Sequence, residues 1–238
     1  MSPIDTAVRP GSGAMFDRIA ARYDLLNRVI SLGLDRRWRR ILIDAVRPPS
    51  GRLLDLATGT GDVLLAALEQ LPGIELVGTD PSPEMLEQAR RKLSQRDPGG
   101  RARVELGMAE ALPFADASFD AITMAFGIRN VADRPRALAE IARVAKPGAK
   151  VGILELGEPR TGPLASLARF HIHSVVPALG AWLASDAEYR YLARSIAAFP
   201  APEIFAAQVA EAGLCEVEVR PLSFGAVHLY CGLKPREA

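Results

Sequence analysis

The chain has 238 residues with 29 basic and 28 acidic side chains and a hydrophobic fraction of 49%. This is enough apolar material for one well-buried domain, and it excludes a disordered chain or a disulfide-stapled miniprotein. Twenty glycines and 18 prolines leave no collagenous or low-complexity reading, and a net charge of +1 argues against a nucleic-acid partner, because phosphate neutralisation needs a basic excess or a one-sided patch.

From the N-terminus, Phe16, Ile19, Tyr23, Leu26 and Ile30 recur at helical spacing within residues 14–46, and Leu34, Trp38, Ile41 and Ala45 do so again. Two N-terminal cap helices with those residues inward are predicted. The second carries the basic cluster Arg36, Arg37, Trp38, Arg39 and Arg40, which reads as a solvated helix face or, with Trp38 beside it, as a contact for anionic lipid headgroups. From Gly51 onward, short apolar runs alternate with helical patterns, the signature of βαβ units and a largely parallel sheet.

Strands are predicted over 52–56, 74–79, 103–106, 119–125 and 150–156, with helices over 61–70, 83–95 and 134–144. The helix at 83 opens on a Ser82 cap with Pro83 at its first position. Lys146-Pro-Gly-Ala-Lys150 reads as a turn that stops the helix before it. Residues 157–199 form a greasy insert, read as a substrate cover. A last helix over 201–212 ends at Gly213, and strands over 215–223 and 226–233, linked by Phe224-Gly225, make an antiparallel hairpin. The fold class is therefore α/β, a Rossmann-like, mostly parallel seven-stranded sheet finished by an antiparallel hairpin, in a single domain with a cofactor-binding core over 51–156.

The chain start has no charged n-region followed by an apolar h-region, and Cys215 and Cys231 are the two cysteines. Both features point to a reducing cytosol, with ordinary buried thiols that lie in adjacent strands. The uncharged stretch 170–185 is 16 residues long, short of the ~20 apolar residues that a membrane span wants. His171 and His173 lie within it, two apart and with no acid to complete a metal set, so no metal is expected.

The chemistry concentrates at Leu54-Asp-Leu-Ala-Thr-Gly-Thr-Gly-Asp62, at the end of the first strand. Gly59 and Gly61 let backbone N–H groups approach a ligand. A dinucleotide fingerprint would place another glycine three residues after Gly61, where Leu64 stands, so the turn lacks the third glycine of a pyrophosphate site. Asp55 precedes the loop and Asp62 closes it. Carboxylates beside the site repel a pyrophosphate but suit a ligand with an ammonium and a sulfonium, although Asp55 can equally serve to anchor the turn. Asp80 follows the second strand, 19 residues after Gly61, close to the ~20-residue spacing at which an acid accepts hydrogen bonds from ribose hydroxyls. Its alternative is a helix cap. Together these features describe an adenosine site whose other end carries no phosphate, and S-adenosylmethionine is that ligand.

Asp55-Leu-Ala-Thr-Gly-Thr-Gly-Asp62 resembles the first motif of class I S-adenosylmethionine-dependent methyltransferases, and Pro81-Ser-Pro-Glu-Met-Leu86 and Ala109-Glu-Ala-Leu-Pro-Phe114 resemble the later motifs of that class. Four further segments resemble the UbiE/MenG/COQ5 family of quinone-ring C-methyltransferases: Met15-Phe-Asp-Arg-Ile-Ala-Ala-Arg-Tyr-Asp-Leu-Leu-Asn27, Phe126-Gly-Ile-Arg-Asn130, Tyr189-Arg-Tyr-Leu-Ala-Arg-Ser-Ile196 and Gly225-Ala-Val-His-Leu-Tyr-Cys-Gly-Leu-Lys-Pro235. The resemblance implies methylation of a ring carbon on a polyprenylated quinol, demethylmenaquinol to menaquinol first. A ubiquinone-pathway benzoquinol, another small aromatic, or a non-catalytic cofactor-binding scaffold are the alternatives.

By the same resemblance, Thr60 and the backbone around it, with Gly59 and Gly61, hold the methionine end of the cofactor, Asp80 the ribose, and Met108 and Ala109 the adenine. Relatives often carry Asn or Asp at the place of Met108, so backbone contacts must hold the adenine there, and some carry Ser at that of Ala125, a minor contact that alanine's side chain does not supply. Arg129 is the candidate that stabilises a phenolate or orients a water, against an ordinary ion pair; a guanidinium is a poor proton acceptor. Tyr23 is the candidate phenol in the pocket, against core packing. The stretch 170–185 is the candidate holder of the prenyl tail, against plain core or a homodimer interface. The enzyme would then be cytoplasmic, or peripheral to the inner face of the cell membrane.

Overall fold

Leu53, Leu54, Leu56, Leu76 and Val77 are fully buried, as expected of parallel strands covered on both faces. The computed structural model describes residues 23–157 and 186–236. Its elements are α1 (Tyr23–Ile30), α2 (Asp35–Val46), β1 (Arg52–Leu56), α3 (Asp62–Gln70), β2 (Glu75–Asp80), α4 (Pro83–Arg96), β3 (Ala102–Leu106), β4 (Phe119–Ala125), a 3-10 turn (Ile128–Asn130), α5 (Arg134–Val144), β5 (Ala145–Leu156), α6 (Asp186–Ala197), α7 (Pro202–Glu211), β6 (Cys215–Leu222) and β7 (Val227–Leu233). The strands form one seven-stranded sheet in the order β3-β2-β1-β4-β5-β7-β6. The first five run parallel, and β7 is antiparallel to both β5 and β6.

Two apolar layers cover the sheet. On one face Ile122, Met124, Val151, Ile153 and Tyr230 pack with Leu138 and Ile141 of α5 and Phe205 and Val209 of α7. On the other, Leu53, Leu76 and Ala121 meet Val63 and Leu64 of α3 and Ile43 and Val46 of α2, while Trp38 and Leu42 meet Leu154 and Leu229. The expected Ser82 cap is present, and Asp133, not singled out by the sequence reading, caps a second helix. The Ser82 hydroxyl accepts from the Met85 N–H at 3.1 Å, and Asp133 caps α5 through the Arg136 N–H at 3.0 Å.

Several expectations are corrected. Of the residues expected inward, Trp38 is buried, Ile41 and Ala45 are half-buried against the same cluster, and Leu34 is exposed; the buried stripe of α2 runs through Asp35, Trp38, Arg39, Leu42, Ile43 and Val46. Gly152 of β5 is the reason: a Cβ there would lie 2.6 Å from Val46 Cγ1 and 2.7 Å from Leu42 Cδ1, so α2 seats on bare backbone. The basic cluster is not one solvated face. Trp38 and Arg39 are buried while Arg36, Arg37 and Arg40 are exposed, and the Trp38 indole donates to Ser223 Oγ at 2.9 Å. Residues 145–149 belong to β5, with a register shift between the pairs Phe119–Ala145 and Ala121–Lys150. The turn read there is a bulge pinned by Gly148 N–H to Lys234 O and Lys234 N–H to Ala149 O, bonds to a distant segment that local spacing does not reveal. The hairpin link is a 3-10 turn at Ser223–Gly225.

Cys215 and Cys231 are free and half-buried, and the register sets Cys215 opposite Leu233 and Cys231 opposite Glu218. Phe16, Ile19, His171, His173 and the stretch 170–185 lie outside the described residues. No described helix is long and apolar enough to cross a membrane.

Candidate active site

β1 and β4 are adjacent at the centre of the sheet while their connections leave to opposite sides, so the crevice beyond their carboxyl ends is the switch point where α/β sheets bind ligands. Ala57 (φ +49°) and Phe126 (φ +59°), each just past one of these strands, adopt the left-handed region that side-chain-bearing residues occupy uncommonly, as Leu32, Ala117, Glu216, Ser223 and Phe224 do elsewhere among the described residues. A Cβ on Gly127 would fall 2.5 Å from the Ala57 Cβ, so glycine is what lets the two strand exits touch.

The loop from Ala57 to Gly61 is held by acids. Asp55 is fully buried and accepts from the Thr58 hydroxyl at 2.6 Å and the Thr123 hydroxyl at 2.8 Å. Burial pushes its carboxyl up to about 7, outweighing the two hydroxyls that favour the ionised form. Of the two roles open to Asp55, this is the geometry of an anchor for the turn. Asp80 is also buried; its Oδ2 accepts from the Gly59 N–H at 2.9 Å and its Oδ1 from the Ser82 N–H at 2.9 Å. It therefore staples the glycine loop to the start of α4. Met108 follows β3, 48% exposed, in a bridge to Ala111, with half-buried Ala109 next to it. The Gly107 N–H bonds Asp80 O at 3.2 Å, so 107–109 adjoin the Asp80 end of the crevice. Half-buried Ala125 ends β4.

Arg129 sits in the 3-10 turn beyond β4, its side chain 7% exposed. Nη1 donates to Glu155 Oε1 at 2.6 Å and to Phe126 O at 2.8 Å, and the Arg129 N–H reaches Glu155 Oε2 at 3.2 Å. Its buried Nε has no hydrogen-bond partner among the described residues. Glu155 is fully buried in β5, and α6 joins the same turn through the Tyr191 hydroxyl, which donates to Asn130 Oδ1 at 3.1 Å. Tyr23 is the first residue of α1. Its neighbour Asp24 accepts from the Thr60 hydroxyl at 2.6 Å, and Lys92 Nζ donates to Thr60 Oγ1 at 2.9 Å and Asp62 Oδ1 at 2.7 Å. Among the described residues no group of three or more His, Cys, Asp or Glu side chains could hold a metal ion.

Asp24, Lys92 and Glu155 escaped the sequence reading. Glu155 had a signal, as the lone acid in the apolar run Val-Gly-Ile-Leu-Glu-Leu. Lys92 had none, because Arg90-Arg91-Lys92 reads as a solvated helix face.

The sheet order, the left-handed strand exits and the acid-held two-glycine loop fit a donor that is cationic at its methionine end, and they define a methyltransferase of the class I Rossmann-like fold. A sequence profile of the ubiE/COQ5 methyltransferase family matches residues 8–234. The demethylmenaquinone methyltransferase of Thermus thermophilus is 46% identical over 223 residues, covering 93% of this chain and 100% of that protein. The ubiquinone/menaquinone biosynthesis C-methyltransferase UbiE of Geotalea daltonii is 42% identical over 222 residues, covering 92% and 94%. Among solved structures, Haemonchus contortus phosphoethanolamine N-methyltransferase 2 in complex with S-adenosyl-L-methionine superposes with a TM-score of 0.70 at 16% identity, over 99% of this chain and 62% of that one. A SAM-dependent methyltransferase of Thermotoga maritima gives 0.63 at 24% identity, over 94% and 100%. These structures share the fold. The chain belongs to the ubiE/COQ5 methyltransferase family and is an S-adenosylmethionine-dependent methyltransferase.

Proposed function

We propose that the protein methylates a ring carbon of a polyprenylated quinol, with demethylmenaquinol as the first acceptor to test. Two relatives that it matches nearly end to end are named for this chemistry. The observation that carries the reading is the buried Arg129, fixed by Glu155 one strand from the glycine loop.

A quinone ring is electrophilic, so the acceptor is the reduced quinol, whose phenolate pushes charge onto the neighbouring carbon. The bound donor supplies an electrophilic methyl group. The protein's share is to position the acceptor, favour the phenolate and exclude water. A guanidinium has donors and no acceptor, so Arg129 serves as an electrostatic partner of the phenolate rather than as a base. Glu155 fixes the guanidinium plane with Nη1 and leaves Nε uncommitted among the described residues. We assign Thr60, Gly59 and Gly61 to the methionine end of the donor, Asp80 to its ribose and residues 107–109 and Ala125 to its base, with Tyr23 on the acceptor side. Residues 157–199 act as the acceptor's cover, a reading supported by the Tyr191 contact with the Arg129 turn.

Peripheral membrane contact belongs to this proposal, carried by residues other than the whole basic cluster. Leu32 and Phe224 are 67% and 65% exposed. Phe224 follows Ser223, which bonds Trp38 near the carboxyl end of β5, and Leu32, Leu34, Arg36 and Arg37 precede Trp38 in the chain. The direct test of the reaction is incubation with labelled donor and reduced demethylmenaquinol, with the product identified by mass. Arg129→Ala is expected to lower turnover at least ~100-fold, in line with removal of one oxyanion donor, while affinity for S-adenosylhomocysteine stays within about threefold. An equal loss of both would remove Arg129 from the acceptor side.

A further inference from the structure

Four residues from separate places in the chain converge beside the glycine loop: Asp24 of α1, Thr60 of the loop, Asp62 at the start of α3 and Lys92 of α4. The Lys92 ammonium uses all three of its hydrogens, on Asp24 Oδ2 at 2.5 Å, Asp62 Oδ1 at 2.7 Å and Thr60 Oγ1 at 2.9 Å. The Thr60 hydroxyl, accepting from Lys92, turns its own hydrogen to Asp24 Oδ1 at 2.6 Å. Arg39 Nη2 flanks the group, 3.5 Å from Asp62 Oδ2, and its Nη1 pairs with Asp35. Among the side-chain bonds of the described residues, those tying α1 to the sheet layer run through Asp24.

We propose that Lys92 is a positioning residue that clamps Asp24, and with it helix α1, onto the loop that takes the methionine end of the donor, so that donor affinity depends on this latch. The inference rests on the donor reading above and extends it to an element outside the glycine motif. The hydrogen-bond count has two consequences. Thr60 has spent its one hydrogen and keeps an accepting lone pair, which complements an ammonium and not a carboxylate. The Asp24–Lys92–Asp62 set is net negative by one, which has the same preference. The side chains are 27%, 36% and 23% exposed for Lys92, Asp24 and Asp62, so added salt weakens the latch only in part, since its contacts are closer than the ~3 Å Debye length near 1 M.

The test uses the full chain with Lys92→Met, Asp24→Asn and the double variant. Binding of S-adenosylhomocysteine is titrated by calorimetry, and hydrogen exchange is followed at amides 23–30. Each single variant is expected to weaken binding about tenfold and to speed exchange in α1, and the double variant to be within about twofold of either single one, because both remove one coupled interaction. Should a variant fold poorly, the wild-type protein titrated with salt keeps the latch open to refutation: α1 exchange and ligand dissociation are expected to rise together. Independent, multiplicative losses in the two single variants, or α1 exchange that stays at the wild-type rate in Lys92→Met, overturn the latch. Absence of any S-adenosylhomocysteine binding by the wild-type protein overturns the donor reading itself.

Discussion

Burial lifts the Asp55 carboxyl to about 7 while two threonine hydroxyls pull the other way. A folded value above the ordinary 3.8 means that the folded state holds a proton the unfolded chain has already released. The resulting stability is present below about pH 4 and is lost as pH rises through about 7. At ~1.4 kcal/mol per pH unit, wild-type stability should fall by about 2 to 3 kcal/mol more than that of Asp55→Asn between pH 5 and pH 8, as measured by urea unfolding. Equal pH slopes for the two proteins would mean that Asp55 is ionised throughout. From the sequence, Asp55 could be ligand or anchor, since spacing gives its place before the loop but not the hydroxyls around it. Asp80 was legible as a candidate because a strand end and a fixed interval single it out. Arg129 was legible as a candidate, but its ion pair with Glu155 joins residues 26 apart in the chain.

Among the elements, those defined by local chemistry were read nearly to the residue. β1, β4 and α5 match their expected bounds, 52–56, 119–125 and 134–144, because capping, β-branching and turn residues act within a few positions. The fully buried centre of the α2 stripe falls one position past Ile41 and Ala45, because it is set by a partner strand more than 100 residues away. Gly152 admits Val46 and Leu42 against bare backbone, and helical periodicity cannot see that gap. Gly152→Ala is accordingly expected to destabilise the protein by about 1 to 3 kcal/mol through overpacking, and Val46→Ala in the same chain to recover part of the loss. Thermal or urea unfolding of the two variants checks this; an unchanged Gly152→Ala protein would show that α2 can shift without cost.

Over the whole protein, opposite charges nearly cancel, so any attraction to a surface must come from how charges are distributed. Folding turns Trp38 and Arg39 inward, against Phe126 at 6.1 Å and 6.0 Å between ring centroid and partner, and leaves Arg36, Arg37, Leu32 and Phe224 exposed. Apolar tips beside cations suit an anionic interface. Co-sedimentation with vesicles containing anionic lipid is expected, declining with added salt, and Phe224→Ser with Leu32→Ser is expected to reduce it several-fold. Binding that persists in this double variant would move the contact elsewhere on the surface.

Class of fold, order of elements, glycine loop and family signature were all present in the linear chain, because each is written in neighbouring residues. Which acids hold the glycine loop, where α2 turns its indole, and how α1 is tied to the loop emerged only on folding. The physical reason is common to all three: burial, ion pairing and close packing depend on groups brought together from distant positions, and no local spacing encodes the partner.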